Sequence, residues 1–325
     1  MNKKGLNYSK YGYIFSIPFV VAYLIFSLYP VLYTVIIAFT DMKGAGVTTF
    51  HFQQDLLKNF KDVLANSSFQ TAFKNTCKLW ICNFIPQMGL ALLLTAWFTD
   101  SRCNVKGQGF FKVVFYMPNI ITAATVAILF GALFGYPVGP INDVLTSLHI
   151  IPAAQDWLVK KSTAQNVVIF IQTWQWFGYT MITLISGVIG IDPSIFEAAE
   201  IDGANRVQTF FYVTIPNIRT IMIFTLVTSL IGGLNMFDIP KLFIVRSGPD
   251  EATLTTSVFI QQMAFMNSYQ YNIAAAASLI MFVIIVICSA IVFYVMRDKD
   301  EVAAKKLRKQ AIKEWKAAQK AAQGV

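Results

Sequence analysis

Glu197-Ala198-Ala199-Glu200-Ile201-Asp202-Gly203, running on to Val213-Thr214-Ile215-Pro216, is an acid-bearing polar stretch in a chain that is otherwise apolar. Its spacing predicts a helix, a break and a second helix. Ser194 is placed to cap the first helix with Glu197 three residues on, the spacing of a capping box. Pro193 suits a helix start, because its φ is preset and its missing N–H would go unpaired there anyway. Gly203 suits the left-handed residue that ends a helix. Asn205 can cap the next run, Arg206 to Thr214, and Pro216 limits its extension. Capping accounts for the shape of this stretch but not for its acids at 197, 200 and 202. A DNA-binding helix-turn-helix does not fit, since Arg206 and Arg219 are too few to engage a phosphate backbone.

The flanking sequence sets this loop in a membrane. Hydrophobic residues make up 56% of the 325 and charged residues 13%, the balance of a membrane protein. Charge-free runs cover 11–40, 79–99, 113–142, 162–191, 220–237 and 252–296. Roughly 20 apolar residues cross about 30 Å of hydrocarbon, so these runs predict six transmembrane helices, an all-α membrane fold with both termini on one side. The formal charge of +9 is topological rather than a nucleic-acid footprint. With the termini cytoplasmic, the N-terminal lysines, the loops at 100–112 and 190–219 and the tail from Arg297 hold the excess of Lys and Arg, as the positive-inside rule requires. Without the tail the two sides nearly balance, so orientation rests on the tail, on Lys3, Lys4 and Lys10, and on the acidic loop. The domain boundaries follow: an N-terminus at 1–12, a six-span unit at 13–296 and a basic tail at 297–325. The run from Tyr11 to Thr40 is too long for a signal-peptide core of about 7–15 residues, so it reads as a retained first span. Pro18 and Pro30 should bend it.

Several polar residues inside the apolar runs invite a role. The second span, 79–99, carries Asn83 and Gln87 one turn apart around Pro86; interhelical hydrogen bonding is the default reading and a path lining the second. The segment before it, 41–78, reads as an external loop with short helices. The third span, 113–134, is expected to kink near Pro118. In the fourth, 167–190, Gln172, Trp176 and Tyr179 stand at i, i+4 and i+7 and share one helical face. Aromatic faces beside amides suit a sugar ring, whose C–H face packs on the aromatic while its hydroxyls take hydrogen bonds. An interfacial aromatic belt, with Trp174 as anchor, is the competing account. The fifth span, 220–238, holds Gly232 and Gly233, which permit close approach and local unwinding, then Asn235, Phe237 and Asp238. Intramembrane polar residues are functional candidates. Residues 252–272 read as an external helix or a re-entrant piece, and 273–296 as the sixth span. In the tail, Leu307, Ala311, Trp315 and Ala318 share a helical face that suits anionic lipid, a partner surface or plain solvent equally.

Glu-Ala-Ala, three residues, Gly, nine residues and an aliphatic-x-aliphatic-Pro group together resemble the EAA loop of type I ABC importer permeases. Tyr116-Met117-Pro118, Gly139-Pro140-Ile141-Asn142 and Ser247-Gly248-Pro249 resemble pieces of the carbohydrate-uptake group, with Ser247 in place of a Gly. The chain is similar to the larger permease subunit of maltose transporters, without that subunit's extra N-terminal spans and long external insertion. The resemblance implies a multi-pass permease of the bacterial cytoplasmic (inner) membrane, both termini cytoplasmic. It would form half of a sugar or oligosaccharide path beside a second permease subunit. A solute-binding protein would deliver the cargo from outside, and an ATPase dimer would bind ATP and Mg beneath. Glu197, Ala198, Ala199, Asp202, Gly203 and Pro216 would couple to that ATPase. Gln172, Trp176, Tyr179, Asn235, Phe237 and Asp238 would lie along the path.

The chain itself carries no phosphate-binding Gly-x4-Gly-Lys-Ser/Thr loop, so it is expected to hold no cofactor. It shows no nucleophile–base pair and no His-Glu-x-x-His, so no catalytic residues are expected. Cys77, Cys82, Cys103 and Cys288 follow no metal or disulfide spacing, and His51 and His149 lack zinc-spaced partners. No acid lies deep in a span, which disfavours an ion-coupled carrier. A glycerol phosphate ester is the nearest alternative cargo; it would require Arg219 or Arg246 to reach the path.

Overall fold

The computed structural model describes residues 9–100, 102–103, 105–244, 247–266, 269–297, 307–312, 314–315 and 319. Apart from one isolated antiparallel bridge, Thr40 to Phe52, the regular structure among the described residues is helical. In chain order the principal helices are α1 (Tyr11–Ile37), α2 (Ser67–Thr99), α3 (Gln108–Ile120), α4 (Ala123–Leu133), α5 (Lys161–Ile189), α6 (Pro193–Ile201), α7 (Arg219–Leu234), α8 (Asp238–Leu242), α9 (Thr256–Phe265) and α10 (Tyr271–Met296). Four apolar helices are long enough to cross a membrane: α1, α2, the broken α7–α8 run and α10. Two further pairs qualify only together, α3 with α4 bent by 97° and α5 with α6 bent by 78°. The crossings therefore number four, or up to six if each bent pair is one. At 1.5 Å per residue α3 and α4 span only about 20 Å and 17 Å, too little to cross alone, whereas α5 spans about 44 Å.

Local chemistry moves several expected boundaries. Asn66 caps α2, its side chain accepting the Phe69 N–H at 3.1 Å, so the helix starts well before residue 79. Lys74 and Lys78 are thus helical rather than in a loop. Lys78 is tolerated there because its ammonium donates to Gln165 Oε1 at 2.7 Å. The third span bends by 97° near Pro118, as expected, but not at the proline itself. The chain breaks three residues later, where Ile121 is extended and the Thr122 side chain caps α4 by accepting from Thr125 N–H. In α1 a π-helical turn at Leu24–Leu28, closed by the Tyr29 N–H on the Leu24 carbonyl, lies directly before Pro30. The 252–272 segment contributes α9, whose Phe259 is 1% exposed, so this helix packs against the rest of the bundle.

The bundle is built on α2 lying along α5. Ala91, Leu94, Phe98, Met181, Leu184 and Ile185 fill one end of their seam, and Leu79, Val168 and Ile171 belong to a second cluster with Val126 and Phe130 of α4. A third cluster joins Phe69, Leu230, Leu254, Phe259 and the alanines at 275–277 of α10. Buried amides tie the loops at one end. Asn59 donates to the Ala38 and Thr40 carbonyls, both at 2.8 Å, and accepts from Asn272 at 2.9 Å. Asn75 donates to the Glu251 carbonyl at 2.7 Å, and Gln165 to Asn75 Oδ1 at 3.1 Å and the Ala252 carbonyl at 2.8 Å. Such buried networks favour one arrangement, because breaking a bond strands its partner away from water. At the other end, residues 100–103 meet 204–209, and Arg219 Nη2 donates to the Arg297 carbonyl at 3.0 Å. Of the segments that the charge count puts on one side, parts of the 100–112 and 190–219 loops and Arg297 meet there. In the tail, Leu307 and Trp315 are exposed, and Ala318 lies outside the described residues.

Candidate functional site

A cavity of about 280 Å³ opens between α2, α5 and the α7–α8 break. All six residues singled out for a path line it: Gln172, Trp176 and Tyr179 from α5, and Asn235, Phe237 and Asp238 from the break. Helix α5 aims its three because their spacing puts them on one face. Trp176 and Tyr179 stack edge to face with centroids 6.0 Å apart. The break exists because α7 ends at Leu234 and Phe237 leaves helical geometry (φ −129°) before α8 begins at Asp238. Gly232 and Gly233 do not themselves unwind. Gly233 instead lets the Trp80 indole lie against the α7 backbone. Trp174 faces away from the cavity, with its ring edge to face with Phe130 at 5.1 Å.

Asn83 and Gln87 serve both readings at once. Gln87 Nε2 donates to Thr180 Oγ1 at 2.7 Å and Thr173 Oγ1 lies 3.3 Å from Asn83 Oδ1, joining α2 to α5, and both amides also line the cavity. Gln175 also lines the wall, as do Trp80, Thr225, Thr228 and Ser229, which the sequence reading did not single out. Thr225, Thr228, Ser229 and Gly232 stand at i, i+3, i+4 and i+7, a small polar stripe legible in the sequence by its helical period. Among the described residues no Lys or Arg lines the cavity, and Asp238 is its one charged group. Arg219 lies at the far end of α7, bonded to the Arg297 carbonyl, and Arg246 lies outside the described residues.

The acidic loop sits at the other end of α5. Asp192, not Ser194, caps α6: its carboxylate accepts the Ser194 N–H at 3.0 Å, since Pro193 takes the first helical position. That bond, with a further one from the Ser194 side chain, holds the Asp192 carboxyl below its ordinary range. Glu197 is consequently at the fifth helical position, clear of any capping box and exposed, like Ala198. Ala199 is buried. Asp202 ends the helix, and Gly203 follows at φ +76°, its N–H on the Glu200 carbonyl at 3.0 Å. Asn205 and Gln208 form a reciprocal capping box. The second helix is not uniform: it passes through a π-helical turn, Thr209–Thr214, into the short turn Ile215–Asn217 that holds exposed Pro216. A second cavity, about 510 Å³, lies between α6, Phe210 and Trp97 of α2.

A family model for the inner membrane component of binding-protein-dependent transport systems matches residues 79–299. The chain belongs to this family. This permease is 30% identical over 292 residues to the probable ABC transporter permease YesP of Bacillus subtilis, covering 87% of this chain and 89% of that protein. It is 28% identical to the lactose transport permease LacF of Rhizobium radiobacter, over 90% of this chain and 96% of that one. The arabinooligosaccharide permease AraP of B. subtilis is also 28% identical, over 89% and 90% of the two chains. Among solved structures, a bacterial alginate ABC transporter in complex with an alginate pentasaccharide-bound periplasmic protein contains a chain of the same fold. The TM-score is 0.72 at 22% identity, covering 88% of this chain and 93% of that one. The chain is thus a multi-pass membrane component of an ABC transport system.

Proposed function

We propose that this permease forms half of the path of an ATP-driven importer for uncharged saccharides and takes its energy from a separate ATPase dimer through α6. The observation that carries this reading is the cavity wall. Amides, hydroxyls and four aromatic rings (Trp80, Trp176, Tyr179, Phe237) converge there with a single carboxylate and no cation among the described residues. Fixed hydrogen-bond groups beside ring faces are what a polyhydroxylated ring requires. Relatives that carry lactose and arabinooligosaccharides point the same way. In this reading the chain crosses the cytoplasmic membrane of a bacterium six times, α3 and α4 together making one crossing and α5 without α6 another, with both termini inside. A second permease subunit closes the path, and a solute-binding protein docks outside. The chain performs no chemistry itself. Contact of the ATPases with Glu197 and Ala198, better in one state than the other, would shift the permease between inward- and outward-facing forms.

Retention of an ATPase by the detergent-extracted chain tests the coupling half of the proposal. Wild type should retain it. Glu197→Ala removes a charge-assisted contact of about 1.5–3 kcal/mol, so retention should weaken by about 10- to 100-fold. Gly203→Pro demands a negative φ where the chain has +76° and deletes the N–H bond to Glu200, so retention should be lost. Retention of no ATPase by wild type sinks the reading and brings uptake driven by an ion gradient to the front.

The cargo half makes a separate prediction. A phosphate ester or uronate would face Asp238 without a countercharge, and like charges about 4 Å apart repel by roughly 4 kcal/mol at an effective dielectric of 20. In uptake assays, neutral oligosaccharides should compete with one another and acidic ones should not. Asp238→Arg should admit the acidic class. Competition of acidic and neutral saccharides on equal terms in wild type would rule the uncharged class out.

A further inference from the structure

Asp100, Arg102 and Arg206 form a cross-brace that neither the acidic motif nor the central cavity accounts for. Asp100 terminates α2 with its side chain 17% exposed, and its Oδ2 lies 3.1 Å from Arg206 Nε. Its Oδ1 accepts the Arg102 backbone N–H at 2.9 Å and lies 3.6 Å from Arg102 Nε. Arg206, three residues past Gly203, donates from Nη2 to the Arg102 carbonyl at 3.2 Å and from Nη1 to Cys103 Sγ at 3.4 Å. Arg102 reaches the opposite way, with Nη1 on the Ala204 carbonyl and Nη2 on Thr209 Oγ1, both at 3.3 Å. Each arginine therefore grips the other's loop, and the carboxylate between them offsets their mutual repulsion.

An isolated exposed ion pair contributes little to stability. The value of this one is geometric, since a planar guanidinium with several fixed acceptors holds orientation as well as distance. Helix α6 is already joined to α5 through residues 190–192. With that link alone, a push on α6 could be spent on changing the 78° bend. Phe196 of α6 packs on the apolar α2–α5 seam, and the brace adds a directional, hydrogen-bonded attachment to α2. Trp80, Asn83 and Gln87 of the cavity wall ride on α2, and Gln172, Gln175, Trp176 and Tyr179 ride on α5. A lever fastened to both moves the two walls together.

We propose that the Asp100–Arg206 pair, steadied by Arg102, is a positioning joint that passes movement of α6 to α2. The inference rests on the coupling reading above. The test reconstitutes the chain with its partner permease and ATPase in lipid vesicles. A cysteine replaces Thr228 in the cavity wall, and its labelling by a membrane-impermeant maleimide is measured over a parent lacking it. With wild-type loops, labelling should change severalfold between the nucleotide-free and ATP–vanadate-trapped states. Asp100→Asn, which keeps the acceptor for the Arg102 N–H, and Arg206→Gln should each lose most of that change while the ATPase stays bound. The double variant should lose no more than either single one, because both remove the same interaction. Arg206→Lys should recover part of it. Single variants that switch like wild type, or losses that add in the double, overturn the joint and leave the coupling reading intact. Failure of wild type to retain the ATPase overturns the coupling reading, and the joint with it.

Discussion

Gly178→Val should be the most damaging single substitution in the bundle. Gly178 is buried at the crossing of α5 with α3, and a Cβ built there would overlap the Phe115 carbonyl and stand 3.0 Å from Tyr116 Cα. The obstacle is backbone on both sides, so no rotamer change relieves it; the helices must separate. Overpacking a core costs about 1–3 kcal/mol, more when backbone must shift, and the seam here includes Phe115 against Phe177, rings 5.8 Å apart. Above about 3 kcal/mol, the apparent melting temperature should fall by roughly 6 °C or more. Gly89→Ala is the matched control, since a Cβ at Gly89 meets nothing within 4 Å. Exchanging a helical glycine for alanine in open space should leave melting unchanged or raise it by the propensity difference of about 1 kcal/mol. Equal melting temperatures for the Gly178 and Gly89 variants would show that α3 and α5 are not in backbone contact.

Adjacent glycines in α7 should diverge as sharply, this time in transport. At Gly233 a Cβ would collide with the Trp80 indole ring, whereas at Gly232 it meets nothing within 4 Å. Trp80 is pinned by its Nε1 donating to Ser229 Oγ at 3.3 Å and packs near Phe84, ring centroids 5.9 Å apart. Gly233→Val must therefore turn the indole, and the room next to it is the central cavity that Trp80 lines. Uptake should fall by more than about tenfold, the equivalent of roughly 1.4 kcal/mol, with ATPase retention unchanged because the α6 loop is untouched. Gly232→Ala should keep uptake close to wild type. Normal uptake by Gly233→Val would mean that the space beside Trp80 is not on the path.

Legibility differed between the two regions for a physical reason. The acidic loop is a local structure, so Gly203 and Asn205 declared their conformations through the backbone and capping preferences of their own residue types. The misplaced cap shows the limit even there, for Asp192 and Ser194 are both good caps and only the position of Pro193 chose between them. The cavity residues were legible when a helical period exposed them, as with Gln172, Trp176 and Tyr179. Trp80 carried no such mark, because what brings it to the cavity is the missing side chain of a glycine more than 150 residues away in sequence. The exact place of the bend in the third span was hidden for a similar reason. Proline signals a kink, yet α3 accommodates Pro118 and the turn falls where Thr122 finds a helix to cap.

What the sequence determined alone is whatever follows from solvent and local backbone. The charge-free runs set which segments are apolar enough for lipid, the acids at 197, 200 and 202 set one loop apart, and Gly203 breaks its helix. What the tertiary structure decided is who meets whom. Asn83 and Gln87 became both bolt and lining, Lys78 found Gln165, and Arg102 and Arg206 crossed between loops a hundred residues apart. Hydrogen bonds and close packing reach only a few ångströms, so they are set by the approach of α2, α5 and α7, which no single stretch of the chain encodes.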